Sequence, residues 1–381
     1  MNSIRISLME MVSNLFKWYT ILSLMVVFSN FNIGSGILSQ YIFGFLSIYY
    51  LIKYRNRIGN LRPFLYFVFF FALSIWNYFL YSNIEAMGSS LRFVFNLFIY
   101  LCLMLSFDNA ITRTKIVDGY EYACVFFSLF VIVQFLSFYI LGVNLTFDFG
   151  EYMGLPNHAN EYDPTIGGLY RTGGMFSEPS WYASFVTPSV FILTQRKKYI
   201  YLGICVVGTV FSTSGVGFAV LAIYSLWVIN RLKPIYKMIA LTLIILSLIP
   251  LAFLMSHALS ELRLENSRLL IFSAIVIEHL HSLFGVDPHQ LYYGGEFVFF
   301  MNTAAFIYLF YGIVGFGVFI KLIYFKRLKL MTLSIIAIMA IEGLYGRVDF
   351  WIMILVGRLY NNQICFDLNK LLKRGNYMRI E

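Results

Sequence analysis

Predominantly apolar runs of about 15 to 22 residues recur along the whole chain, at roughly 17–34, 37–52, 64–81, 91–107, 121–142, 181–195, 199–213, 215–230, 238–255, 303–321, 330–346 and 350–366. Runs of that length match the hydrocarbon core of a bilayer, where every backbone polar group must be satisfied within the protein, so only helices and closed barrels can cross. The runs show no period-2 alternation, which excludes the barrel. The reading is an all-α, polytopic integral membrane protein of about 12 transmembrane helices. Composition agrees: the 381 residues are 60% hydrophobic and only 12% charged, against roughly 25% charged in a soluble domain.

The net charge of +9 would ordinarily raise nucleic acid as a partner. Here the Lys and Arg residues fall mostly in short clusters between apolar runs, the positive-inside pattern that orients helices in a bilayer. Lys53, Arg55, Arg57 and Arg62 follow the second run, Arg196, Lys197 and Lys198 the sixth, and Arg231, Lys233 and Lys237 the eighth. Lys326, Arg327 and Lys329 follow the tenth, and Lys370, Lys373 and Arg374 the twelfth. Every strong cluster follows an even-numbered run, so both termini are expected in the cytoplasm and no nucleic-acid partner is needed. Cys102, Cys124, Cys205 and Cys365 have no paired spacing, which argues against a disulfide framework or a thiolate metal site. The first run is read as a retained span, without a cleavage signal after it.

This parity divides the chain into N-terminal helices (1–142), a first large outer loop (143–180), four spans (181–255), a second large outer loop (256–302) and three closing spans with a cytoplasmic tail (303–381). Both loops exceed the length of ordinary connections and are too rich in aromatic and apolar residues for disorder. All five histidines, His158, His257, His279, His281 and His289, lie in them, with the outer-face arginines Arg171, Arg263 and Arg268.

Residues 169–185, LYRTGGMFSEPSWYASF, set Arg171, Gly173, Gly174, Glu178 and Pro179 immediately before an apolar run. An arginine offers a planar fork of donors suited to phosphate oxygens, and the two glycines would let backbone approach a ligand closely. The alternative is structural: Arg171 and Glu178 pair within the loop, and Ser-Glu-Pro starts a helix with Pro in its first turn. In the second loop, Leu264, Leu269, Phe272 and Ile275 have helical spacing, which predicts an amphipathic surface helix carrying Arg263 and Arg268 near its beginning. His279 and His281 are two apart and diverge on a helix, so they do not form a shared metal site. FSTSGVGFAV at 211–220 reads as small residues that allow close helix packing. Walker, HExxH, GxSxG and Rossmann signatures are missing, and no cofactor or metal is expected.

The ordered set of RTGGMFSEPSWYASF, FSTSGVG, SRLLIF with HSLFGVDPH, and NTAAFIYLFYGIVGF resembles the O-antigen and capsular-polysaccharide polymerases of the Wzy type, related to O-antigen ligases. The likeness covers about residues 143–320. Asp287 stands where the family's turn carries a glycine, Met301-Asn302 where the ligases often show His-Asn, and the Ser-Glu-Pro element favours a polymerase over a ligase. The resemblance implies glycosyl transfer on the outer face of a bacterial inner membrane, without a cofactor. The donor is a glycan on undecaprenyl pyrophosphate, the acceptor a hydroxyl of another lipid-linked repeat unit. A flippase and a chain-length regulator are the implied partners.

Under that reading Arg171 and Arg268 meet charge developing on the leaving pyrophosphate, with Arg263 in support, and Glu178 or His289 is the base for the acceptor hydroxyl. Gly173, Gly174, His281, Tyr170 and Asn302 are the expected substrate contacts, Tyr170 by stacking on a sugar ring. The competing class is a lipid-linked oligosaccharide flippase or other transporter, which would place charges on the spans themselves. Glu342, Arg347, Asp349 and Arg358 are its few candidates.

Overall fold

The computed structural model of the chain describes residues 21, 32–33, 36–53, 63–107, 110–145, 170–176, 178–231, 233–234, 282–287, 292–293, 296–297, 302–344 and 346–377. The expected spans at 17–34 and 238–255 lie almost wholly outside these residues, as do most of the two large loops and the amphipathic helix, with Arg263, Arg268, His281 and His289.

The described chain is helical apart from two small antiparallel pairs. Strand β1 (Asn32–Ile33) pairs with β2 (Gly36–Ile37), and β3 (Tyr292–Tyr293) with β4 (Glu296–Phe297). In sequence each pair is separated by a glycine-bearing dipeptide, Gly34-Ser35 or Gly294-Gly295, of the kind that closes a two-residue hairpin. The architecture is all-α as expected, and these two-residue strands are local turns of chain that periodicity over long windows does not register.

The helices follow the apolar runs. They are α1 (Leu38–Lys53), α2 (Phe64–Tyr81), α3 (Ile84–Ser106), α4 (Ala110–Leu141), α5 (Pro179–Val186), α6 (Ser189–Gln195), α7 (Tyr199–Phe211), α8 (Gly215–Asn230), α9 (Thr303–Ile323), α10 (Lys329–Ile341) and α11 (Val348–Tyr377). Among the described residues, four stretches are long and apolar enough to cross a membrane: Phe64–Tyr81, Ala86–Ser106, Arg113–Leu141 and Thr303–Ile323. Helix α3 begins seven residues before its apolar run because Asn83 caps it, accepting from the Ala86 N–H at 3.0 Å. Helix α4 gains extra turns carrying Arg113, Lys115 and Asp118. The sixth run is divided at Pro188 into α5 and α6, since proline cannot donate to the preceding turn.

Glycine sets how closely some helices approach. A Cβ on Gly208 of α7 would lie 2.5 Å from the Tyr182 hydroxyl oxygen and 2.8 Å from Ser128 Cβ. One on Gly217 of α8 would lie 2.7 Å from the Thr209 methyl. The FSTSGVGFAV segment is thus a packing junction, as its composition predicts.

Helix α9 is broken. Gly312 has φ 67° and ψ −173°, and residues 282–286 fill the gap with their own backbone. The Ile313 and Val314 N–H groups donate to Ser282 O at 3.1 Å and Leu283 O at 3.3 Å, and Val286 N–H donates to Leu309 O at 2.7 Å. The Phe310 carbonyl accepts from Asn77 Nδ2 at 2.6 Å. Groups that a helix would pair internally are therefore paired across the break, as an apolar setting requires.

The helix ends sort into two levels, read most directly on α4. Near its start, Arg196 meets Asp118 at 2.6 Å and Glu121 at 2.8 Å, and Lys198 meets Glu121 at 2.5 Å. Near its finish, Gln134, Phe138 and Tyr139 hold residues 170–174. At 1.5 Å per residue, Asp118 and Tyr139 are about 30 Å apart, close to a hydrocarbon thickness.

Candidate functional site

The site is built at the Tyr139 end, from residues 170–176 and 178, which have no regular structure before α5. Tyr170 is its first pin. The ring is 1% exposed and lies face to face with Phe138 at 4.0 Å, its hydroxyl donates to Asn144 Oδ1 at 2.7 Å, and its N–H donates to the Tyr139 hydroxyl at 3.1 Å. Burial raises the phenol above its ordinary pKa, so it stays a neutral donor at physiological pH. Phe138 occupies one face of the ring, and the side chain anchors the loop.

Gln134 is the second pin. Its Oε1 accepts from the Thr172 hydroxyl and from the Gly174 N–H at 3.1 Å, and its Nε2 donates to Leu145 O. One amide on α4 thus holds the loop immediately after Arg171. The glycines serve the same fold. A Cβ on Gly173 would lie 2.7 Å from Phe176 O and 2.9 Å from Glu178 C, and Gly174 has φ +67° against Val131. The close approach they allow is of the loop to itself and to α4.

Between these pins, Arg171 and Glu178 remain partly exposed while Thr172, Gly173, Phe176, Pro179 and Ser180 are buried. Glu178 precedes α5 with extended backbone (φ −135°, ψ 144°) and makes no side-chain cap. Its Oε2 accepts from Ser180 Oγ at 3.1 Å, and its carbonyl accepts from Trp181 and Tyr182 N–H at 3.1 and 3.2 Å. Pro179 at the first helical position forgoes an N–H that would be unpaired there anyway. The Ser-Glu-Pro element is a helix start, as the structural alternative held.

The structure adds a second arginine that sequence reasoning assigned elsewhere. Arg347 is 4% exposed and forms a bidentate pair with Asp349: Nε to Oδ1 at 3.0 Å and Nη2 to Oδ2 at 3.0 Å. Its guanidinium carbon stands 3.5 Å from the centre of the Trp181 ring, one turn from Glu178. Arg358, grouped with it in sequence, lies at the opposite level and donates to Tyr324 O at 3.4 Å.

Asn302 caps α9, its Oδ1 accepting from Ala305 N–H at 2.7 Å. Next to it, Thr303 Oγ1 donates to Glu342 O at 2.8 Å and accepts from Leu344 N–H at 2.7 Å, and Arg347 N–H donates to Leu344 O at 3.0 Å. Asn302, Arg347, Trp181 and Glu178 are thereby joined through a short run of contacts at one end of the bundle. On its far side, Gln40 of α1 donates to Gly346 O at 2.7 Å and to Asn96 Oδ1 of α3 at 3.3 Å. Among the described residues no group of three or more His, Cys, Asp and Glu could hold a metal. A fixed basic and acidic pair of side chains, Arg171 and Glu178, on a braced loop can hold an anion and accept a proton. No family model, no curated protein and no solved structure matches the chain.

Proposed function

We propose that the chain is a polytopic glycosyltransferase of about 12 spans that polymerises repeat units carried on undecaprenyl pyrophosphate at the outer face of a bacterial inner membrane. This is the activity its loop motifs resemble. The observation that carries the reading is the bracing of RTGGMFSEP: Gln134, Tyr170 and two glycines fix the loop, and Arg171 and Glu178 are the charged groups it leaves partly exposed. A loop that served only as a connection would have no use for such order around two opposite charges.

In this mechanism Arg171, with Arg268 of the second loop, binds the donor's pyrophosphate and stabilises the charge that grows on it as the anomeric carbon–oxygen bond breaks. Glu178 or His289 takes the proton of the acceptor hydroxyl as it attacks that carbon. The growing glycan thus moves onto the new repeat unit, and undecaprenyl pyrophosphate departs. No metal is needed where guanidinium groups meet the phosphate charge.

The test is surface polysaccharide on a gel from the native host, comparing wild type, Arg171→Ala and Arg268→Ala at matched membrane levels. The expected result is loss of long chains with single repeat units still displayed. Long chains persisting in both variants would remove the arginines from the chemistry. Disappearance of single units as well would favour a flippase or ligase.

A further inference from the structure

Arg347 and Asp349 are a buried ion pair at the start of a long helix, and stability alone does not explain them. Apolar residues of similar volume commonly serve as well or better at such sites, because both charges must be stripped of water. What the pair does supply is geometry. Asp349 holds the guanidinium by two oxygens, at 3.0 Å to Nε and 3.0 Å to Nη2, so its plane is fixed. That plane lies over Trp181 at 3.5 Å. Trp181 belongs to the first turn of α5, and its N–H is bonded to the carbonyl of Glu178. Two segments far apart in the chain are therefore locked together one turn from the residue that bears the Glu178 carboxylate.

We propose that Arg347 and Asp349 form a positioning clamp that acts through Trp181 to fix the first turn of α5, and with it the direction of Glu178. This rests on the reading of Glu178 as the group that accepts the acceptor's proton. Arg347 does not itself touch substrate in this scheme. Its 4% exposure and its engagement with Asp349 and Trp181 give it the place of a support behind the site.

The test uses the full-length chain in its native host with the chromosomal copy removed. Two quantities are read for each variant: thermal stability of the detergent-extracted protein, and the amount of long-chain surface polysaccharide. Glu178→Gln is expected to lower long chains at least tenfold. The apolar double variant Arg347→Met with Asp349→Leu is expected to be as stable as wild type yet to lose long chains to a similar degree. Adding Glu178→Gln to it should cause no further loss, since both changes act on one group. Arg347→Lys, which keeps the charge without the planar fork, should fall between.

Long chains at wild-type level in the apolar double variant would overturn the clamp and leave the pair a packing element. Should that variant fail to accumulate, Trp181→Leu removes the ring while sparing the ion pair. Loss of long chains there supports the clamp, and persistence overturns it. If Glu178→Gln alone leaves long chains intact, there is nothing for the clamp to position and the inference falls. The Arg171→Ala and Arg268→Ala comparison then still decides the glycosyltransferase reading by itself.

Discussion

A single amide, Gln134, fixes the loop just after Arg171 by accepting from the Thr172 hydroxyl and the Gly174 N–H. Gln134→Leu should leave the buried Thr172 hydroxyl without its acceptor, at a cost of about 1 to 3 kcal/mol. The expected result is a melting temperature lower by several degrees in detergent, with long-chain polysaccharide reduced in cells even where protein level is normal. An unchanged melting temperature would mean the loop is held by other means. Arg171 and Glu178 were legible in the sequence because charges next to hydrocarbon are conspicuous. Gln134 was not, since one uncharged amide in FVIVQFLSF barely alters hydropathy. Arg347 was visible as a charge but not as a neighbour of Trp181, because that relation exists only once α11 packs beside α5.

Among elements, α9 carries the sharpest dependence on one position. Gly312 has φ +67°, and a Cβ there would lie 2.2 Å from Leu283 O. Gly312→Ala therefore combines backbone strain with a clash against main chain, and should lower the amount of folded protein in membranes severalfold. Gly317→Ala on the same helix, where a Cβ meets nothing within 4 Å, should leave that amount unchanged. Equal levels of the two variants on an immunoblot would show that the break tolerates repair into ordinary helix. Hydropathy located this helix to within two residues at either end, since length and apolarity are what it measures. It was blind to the break because Gly312 lies within a run, TAAFIYLFYGIVGFGVF, that is apolar on both sides. Of the motif HSLFGVDPH, residues 282–286 serve to fill that break.

For the molecule as a whole, the two levels of helix ends demand that certain surface positions share a side. In a background with Cys102, Cys124, Cys205 and Cys365 replaced, Ile84→Cys and Leu141→Cys should react together with a membrane-impermeant maleimide on intact cells. Lys197→Cys and Lys326→Cys should react only after the cells are opened. A split within either pair would break the parity on which the topology rests. That parity was readable from the spacing of Lys and Arg, whereas the bonds that hold the levels apart, such as Arg196 to Asp118, join groups whose meeting depends on packing. The break in α9 also bears on how the protein is made. The polypeptide leaves the ribosome from its N-terminus, so residues 282–286 emerge before the helix whose gap they fill. A translocon releasing α9 alone would deliver unpaired N–H and C=O groups into lipid. In the proposed membrane topology the wedge would have to wait beside the channel, and α9 would enter as the second half of a joint.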